Sequence, residues 1–370
     1  MTRPTAAPSP TAAPSPGAVR ARPAAGRRLV AALDATVAAA AAAAALATAA
    51  GLGARWFPLL DLARHFRLHG LLAMTPGLAL ALARRRRAAA LALGGPWLVS
   101  AATVAASWRP DGGGATTSTG AAPEPGADLC LTVFNVWGLN RSPERIGPYL
   151  EATGDDLVVV VELRPPLVAR LASELPSYAA AALAPRDDFY GVGLYVRRDA
   201  ARRGVALADA QAGVLVADDA LARPFVAARV SFGGREATLL AAHPPPPKGA
   251  AMTRQRDRAM AEAVARLARD GRPGILCGDT NAAPASTGRD AARRAGLRDA
   301  AAGHGYRGTW PAFVPPWLGI PIDVCLIDPA LQATRADVGP ALGSDHRPLH
   351  VTLRWRAPDG GATARRRRAP

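Results

Sequence analysis

Six apolar runs in this chain end in side chains able to bind cations or move protons. They carry Asn135 in LTVFNVWG, Glu162 in LVVVVELRPP, His243 in LLAAHPPPP, Asp279 and Asn281 in ILCGDTNAAP, Asp323 in GIPIDVCLID, and Asp345 with His346 in GSDHRPLHVTL. Any one of them could be an ordinary cap or turn residue. As a set they hold what displacement at a phosphate ester needs: a carboxylate to seat a cation, a base for water, and amide or imidazole donors for the phosphoryl oxygens. The base could be Asp279 or a His/Asp pair, and the residue types leave both open.

The elements around these residues are short. Apolar runs of strand length occur at 129–136, 157–162, 191–196, 212–216, 225–232, 236–242, 273–277, 322–327 and 349–355, and several end in the polar residues above. Helical patterns cover 142–153, 166–175 and 252–270. Many strands with interspersed helices predict an α/β sandwich that presents its active groups from strand ends and loops over about residues 128–356.

On GDTN at 278–281, SDH at 344–346 and the strand-ending NVWG and VVVVEL before them, the chain resembles the endonuclease/exonuclease/phosphatase superfamily. The resemblance implies a two-sheet α/β sandwich that hydrolyses phosphate esters with Mg²⁺ or Mn²⁺. It implies that Glu162 is the main metal carboxylate, supported by Asn135 and Asp345, and that Asp323 orients His346. Asp279 would position or deprotonate the water, Asn281 would hold a phosphate oxygen, and His243 would donate to the phosphoryl group. One position departs from the pattern: Trp137 stands where nucleases of the superfamily often carry an acid, which argues against a second metal carboxylate and a repair-type nuclease. Tyr190, Tyr195, Trp310 and Trp317 either line the site or pack in the ordinary way.

Ahead of the domain, residues 29–54, 68–83 and 88–108 are apolar and approach the roughly 20 residues needed to cross a bilayer. They predict a three-helix membrane anchor over 29–108, although a cleaved signal peptide is the alternative for the first stretch. Arginines 20, 22, 27 and 28 and the run Arg84 to Arg87 fall on one side of a three-pass arrangement, which the positive-inside rule makes cytoplasmic, leaving the domain outside. Three helices ahead of such a domain further resemble a bacterial subgroup that includes membrane proteins linked to teicoplanin and vancomycin resistance. Residues 1–28 read as a disordered leader, 109–127 as a flexible linker and 357–370 as a basic tail.

The net charge of +16 is concentrated partly in arginine runs beside apolar segments or in the tail, so it is weak support for a nucleic-acid groove. Few aromatics interleave with basic residues in the domain, so nucleic acid is the less favoured partner. The expected function is therefore a membrane-embedded phosphoesterase acting on a phosphate ester or pyrophosphate, with a lipid-linked envelope substrate in view. The alternatives are an extracellular nuclease and a catalytically inactive binding domain. Cys130, Cys277 and Cys325 each sit in a strand-like run without a CxxC or Cys/His cluster, which predicts buried free thiols and no zinc.

Overall fold

A computed structural model describes residues 22–109 and 126–357. The remaining leader, most of the expected linker and nearly all of the tail lie outside the described residues.

Among the described residues, twelve strands form two six-stranded sheets. In the first the order is β11 (Leu331–Val338), β12 (Leu349–Trp355), β1 (Asp128–Asn135), β2 (Leu157–Val161), β4 (Val192–Arg197) and β3 (Tyr178–Ala184). In the second it is β5 (Ala206–Val214), β6 (Pro224–Phe232), β7 (Arg235–Ala242), β8 (Gly274–Asp279), β10 (Asp323–Ile327) and β9 (Arg298–Asp299). Side chains alternate across each strand, so each sheet has an inner and an outer apolar face. Leu129, Leu131 and Val133 of β1 meet Val226, Val230, Leu239, Ile275 and Cys277 of the opposite sheet in a central core. On the outer face of the first sheet, Phe134, Val158 and Val160 pack with Ile146 and Leu150 of α5 (Ile146–Thr153) and Leu171 of α6 (Pro165–Glu174). Outside the second sheet, Phe225, Leu240, Leu276 and Val324 pack against Met260, Ala263 and Leu267 of α7 (Ala250–Asp270). The result is a helix–sheet–sheet–helix sandwich, in agreement with the expected fold class.

Two strand pairs are of special importance for the site. β1 lies parallel to β2, and β7 lies parallel to β8. A parallel pair needs a crossover, which α5 and α7 provide, so both carboxyl ends of each pair emerge on the same rim. β10 runs antiparallel to β8 with Asp323 opposite Asp279, bringing the start of β10 to that rim as well.

Several expectations need correction. β3, β9 and β11 had no counterpart among the predicted runs, and the run at 212–216 is only the end of the longer β5. β3, β5, β9 and β11 are at sheet edges or in short pairings, where one-sided burial leaves a weaker apolar pattern. Cys277 and Cys325 are not free thiols: they are cross-strand partners on β8 and β10, 4.3 Å apart at Cα, and are joined as a disulfide. Cys130 alone remains a free buried cysteine among the described residues, and burial followed by the neighbouring carboxylate of Asp156 pushes its thiol up to about 12.

At the N-terminus, α1 (Arg22–Leu52) starts inside the stretch expected to be a leader and takes in Arg27 and Arg28. Among the described residues, α1 and α4 (Arg87–Ala106) supply the two helical stretches long and apolar enough to span a membrane. The expected middle span is α3 (Arg67–Ala83), which qualifies only together with the preceding Pro58–His65 segment, bent from it by 67°. Ala41 and Ala45 of α1, Met74 of α3 and Leu93 of α4 form a small core among the three helices. Within the bend, α2 (Asp61–His65) rests on the sandwich, and the carbonyl of Ser107 just after α4 accepts hydrogen bonds from the backbone of Gly303 and Gly305.

Candidate active site

Asn135, Glu162, His243, Asp279, Asp323 and His346 come from six different chain segments and meet at the rim where β1, β2, β7 and β8 end and β10 begins. Asn135, fully buried at the end of β1, donates through Nδ2 to Glu162 Oε1 and to Asp279 Oδ2, each at 3.0 Å. Its Oδ1 accepts the Trp137 amide at 3.0 Å, an interaction that orients the side-chain nitrogen toward the two carboxylates. Glu162 Oε2 accepts from the Gly138 amide at 2.8 Å, so the NVWG turn holds both Asn135 and Glu162.

His243 uses Nδ1 on the Asp279 carbonyl at 3.0 Å, and this acceptor requires Nδ1 to carry the proton. Its Nε2 then lies 3.7 Å from Glu162 Oε1. Tyr190 stacks at a tilt beside His243 with ring centroids 5.5 Å apart, whereas Tyr195 is buried in the core beneath α5 and α6. The two tyrosines thus divide between site and packing.

The GDTN turn is built on close backbone contact. Gly278 has φ +137°, and a Cβ there would fall 2.1 Å from the carbonyl oxygen of Ala242 on β7, so only glycine lets the two strands approach. Asp279 Oδ1 accepts the Asn281 amide at 2.9 Å, and Asn281 Nδ2 donates to the Pro244 carbonyl at 3.0 Å. Glu162 and Asn281 both adopt left-handed backbone conformations, with φ of +60° and +49°. Such conformations are costly for residues other than glycine and persist where surrounding contacts impose them.

His346 completes the cluster. Its Nδ1 lies 2.7 Å from Asp323 Oδ2 and its Nε2 lies 3.6 Å from Asp279 Oδ2. Burial alone would lower the His346 pKa, but the carboxylates of Asp323 and Asp279 overcome it and raise it to about 10. Asp279 is pushed above the ordinary carboxylate range by burial, against the opposing pull of His346. Ser344, which no local pattern singled out, fixes this corner: its hydroxyl donates to the Asn135 carbonyl at 2.7 Å and accepts the His346 amide at 3.0 Å.

Asp345 points to a different wall. Its Oδ2 accepts the indole N–H of Trp310 at 3.1 Å, while Oδ1 is buried and has no hydrogen-bond partner. Burial raises its pKa, with the nearby charge of Glu162 adding to the effect. Trp310 therefore belongs to the site, and Trp317 is 61% exposed.

The donor chemistry fits a hard divalent cation such as Mg²⁺ or Mn²⁺, which takes carboxylate oxygens and keeps several waters. Glu162 and the unpartnered oxygen of Asp345 would hold it, with Asn135 steering Glu162. Asp279, Asp323 and His346 also form a buried trio whose potential ligand atoms all lie within 4.8 Å of one another. Of the residues expected from sequence, Asn135 presents its nitrogen to Glu162, because Trp137 occupies its oxygen.

Residues 132–346 match the family model described as Endonuclease/Exonuclease/phosphatase family, which covers more than half of the chain and the whole rim just described. The chain belongs to this family. A solved structure of a conserved protein of unknown function from Enterococcus faecalis V583 is similar in fold, with TM-score 0.51 and 15% identity over 62% of this chain and 100% of that one. Humanized D. rerio TDP2 aligns at 18% identity over 61% of this chain and 98% of its own, with TM-score 0.48. The human Nocturnin catalytic domain with bound sulfate aligns at 18% identity over 64% and 97%, with TM-score 0.47. No curated protein matches the chain. As a member of the endonuclease/exonuclease/phosphatase family, the chain carries a domain type whose members are generally hydrolases of phosphoester bonds.

Proposed function

We propose that this protein is a membrane-anchored, divalent-metal-dependent phosphoesterase whose catalytic domain faces the outside of the cell and acts on a phosphate ester or pyrophosphate of a lipid-linked envelope substrate. The observation that carries the hydrolytic reading is the meeting of Glu162, Asp279, His346 and their partners on one rim, with Asp345 Oδ1 buried and unpartnered. A decayed binding domain would have no reason to keep such a costly group of buried charges.

A bound Mg²⁺ or Mn²⁺ would supply positive charge to the phosphoryl oxygens. The chain's own residues do the rest. Asp279, with its raised pKa, accepts the proton of the attacking water as the new P–O bond forms and the bond to the leaving oxygen breaks. His346 is held as a cation by Asp323 and Asp279, so it serves as a donor to the phosphoryl group in place of a base. His243, protonated on Nδ1 by its contact with the Asp279 carbonyl, turns Nε2 toward Glu162 and the place of the phosphoryl group. Asn281, whose Nδ2 already donates one hydrogen to the Pro244 carbonyl, contributes the second N–H of its side chain to a phosphate oxygen.

The membrane part of the proposal rests on α1 and α4 and on the docking of α2. A turn between the first and second spans that touches the catalytic domain has to lie on the same side of the membrane as that domain. Three crossings satisfy this, and the arginines preceding Leu29 together with Arg84 to Arg87 then fall on the opposite side, as expected for the cytoplasm. Confinement beside the bilayer favours a lipid substrate through effective concentration.

The test is phosphate release by the full chain in detergent against lipid pyrophosphates, phospholipids and DNA, with EDTA and Glu162→Ala controls. Metal-dependent turnover of a lipid substrate supports the proposal. Preferential cleavage of DNA moves the protein to a nuclease role, and inactivity on every ester argues for a binding role. A reporter fused after Trp355 checks the side of the membrane.

A further inference from the structure

The turn between the first two N-terminal helices reaches the catalytic loop. Asp61, wholly buried at the start of α2, accepts two hydrogen bonds from the sandwich, from Ser286 Oγ at 2.7 Å and the Thr287 amide at 2.8 Å, and is ion-paired with a guanidinium nitrogen of Arg256 at 2.8 Å. Arg256, also wholly buried, passes another N–H to the Asn281 carbonyl at 3.2 Å. His65, four residues after Asp61, places Nε2 3.1 Å from the same carbonyl. In its Nε2–H tautomer His65 donates there, with Nδ1 3.0 Å from the Asp61 carbonyl. On the other side of the turn, Arg67 at the start of α3 donates to the Thr48 carbonyl of α1 at 3.1 Å and ties the chain just after α2 to the first helix.

These contacts converge on one residue. The Asn281 carbonyl receives both Arg256 and His65, and the Asn281 amide is bound by Asp279 Oδ1. Asn281 has φ +49°, a conformation that needs outside support in a residue with a side chain. A plain tether would not need a buried carboxylate, because burying a charge is unfavourable unless hydrogen bonds and an opposite charge compensate it.

We propose that Asp61 and His65 are positioning residues of the active site: the anchor's first interhelical turn holds the Asp279–Asn281 turn in its working geometry. The N-terminal helices are then part of the hydrolytic machinery as well as its attachment to the membrane. The kinetic consequence rests on the hydrolytic function proposed above, whereas the positional consequence can be measured without any substrate.

The experiment uses the full chain in detergent micelles, as wild type and as Asp61→Asn, His65→Gln and Ser286→Ala. Amide hydrogen exchange over residues 280–288 is followed beside exchange in β1, β2 and β12, and kcat and KM are measured on whichever ester the wild type hydrolyses. Asp61→Asn is expected to speed exchange in 280–288 while the strands stay protected, and to lower kcat by roughly tenfold to a hundredfold with KM within about threefold. The other two variants should move the same way to a smaller extent, and they decide the matter if Asp61→Asn does not fold. Unchanged exchange and kcat in the folded variants would overturn the proposal. So would exchange that rises equally in the strands, since that marks general destabilisation. If the wild type hydrolyses nothing tested, the exchange result still decides whether the turn is held, separately from the hydrolytic reading.

Discussion

Asp279 and Asp323 stand opposite each other as cross-strand partners on β8 and β10, and His346 bridges them, 2.7 Å from Asp323 and 3.6 Å from Asp279. Two buried carboxylates this close repel one another unless a cation or proton lies between them, and the imidazolium of His346 fills that role. Strand register thus sets the protonation state of the histidine. The two carboxylates raise the His346 pKa, whereas Asp279 is raised by burial and pulled back by His346.

Removing one carboxylate of this trio should be felt in turnover. Asp323→Asn takes the charge from His346 Nδ1 while keeping the volume, and kcat should fall by ~10² to 10⁴ with a smaller change in KM. Steady-state kinetics of the full chain on its ester substrate provide the check. An unchanged kcat would mean that His346 needs no orienting carboxylate.

The same histidine predicts a pH dependence of stability in the metal-stripped protein. Its folded pKa of about 10 lies above the ordinary 6.5, so its stabilising contribution is complete below about pH 6.5 and is lost as pH rises toward 10. The difference in thermal midpoint between wild type and His346→Gln should therefore shrink from pH 6.5 to pH 10. A constant difference across that range would contradict the imidazolium assignment.

Metal affinity should depend on Glu162 and Asp345. Titration calorimetry with Mn²⁺ on EDTA-treated protein is expected to show binding to the wild type, weakened roughly tenfold or more in Glu162→Gln. Asp345→Asn should weaken it as well, since its Oδ1 is the buried oxygen left without a partner. Equal binding by all three proteins would move the site to the Asp279, Asp323 and His346 trio.

Gly278→Ala tests the backbone contact beneath the GDTN turn. The added Cβ would fall 2.1 Å from the Ala242 carbonyl, so β7 and β8 must separate and carry Asp279 with them. Loss of about 1–3 kcal/mol in stability is expected in denaturant unfolding, together with a fall in kcat. Full retention of both would show that the strands yield freely.

Thiol counting distinguishes the paired cysteines from the free one. Under non-reducing denaturation the chain should expose one reactive thiol, Cys130, and reduction should expose Cys277 and Cys325 as well. Three thiols without reduction would restore the expectation drawn from sequence.

Local pattern was enough to find the strand ends that bear chemistry. Asn135 after LTVF and Glu162 after LVVVV stand out because a buried strand is a continuous apolar run and a polar residue at its end breaks it. The order of those breaks, with GDTN and SDH, made the family and its sandwich legible in the amino-acid sequence alone. The edge strands β3 and β11 escaped because their exposed faces dilute the pattern. What no sequence window could contain is distance through space. The pairing of Cys277 with Cys325 depends on the register of β8 against β10. The indole of Trp310 on Asp345 depends on how a loop folds back over the rim, and the grip of Asp61 on Ser286 and Thr287 spans more than two hundred residues. Residue types and periodicity, which are local, specified the elements and the chemistry they carry. Which charges are buried together, and therefore which are raised, neutralised or left unpartnered, was decided by the tertiary packing that brought the elements to one rim.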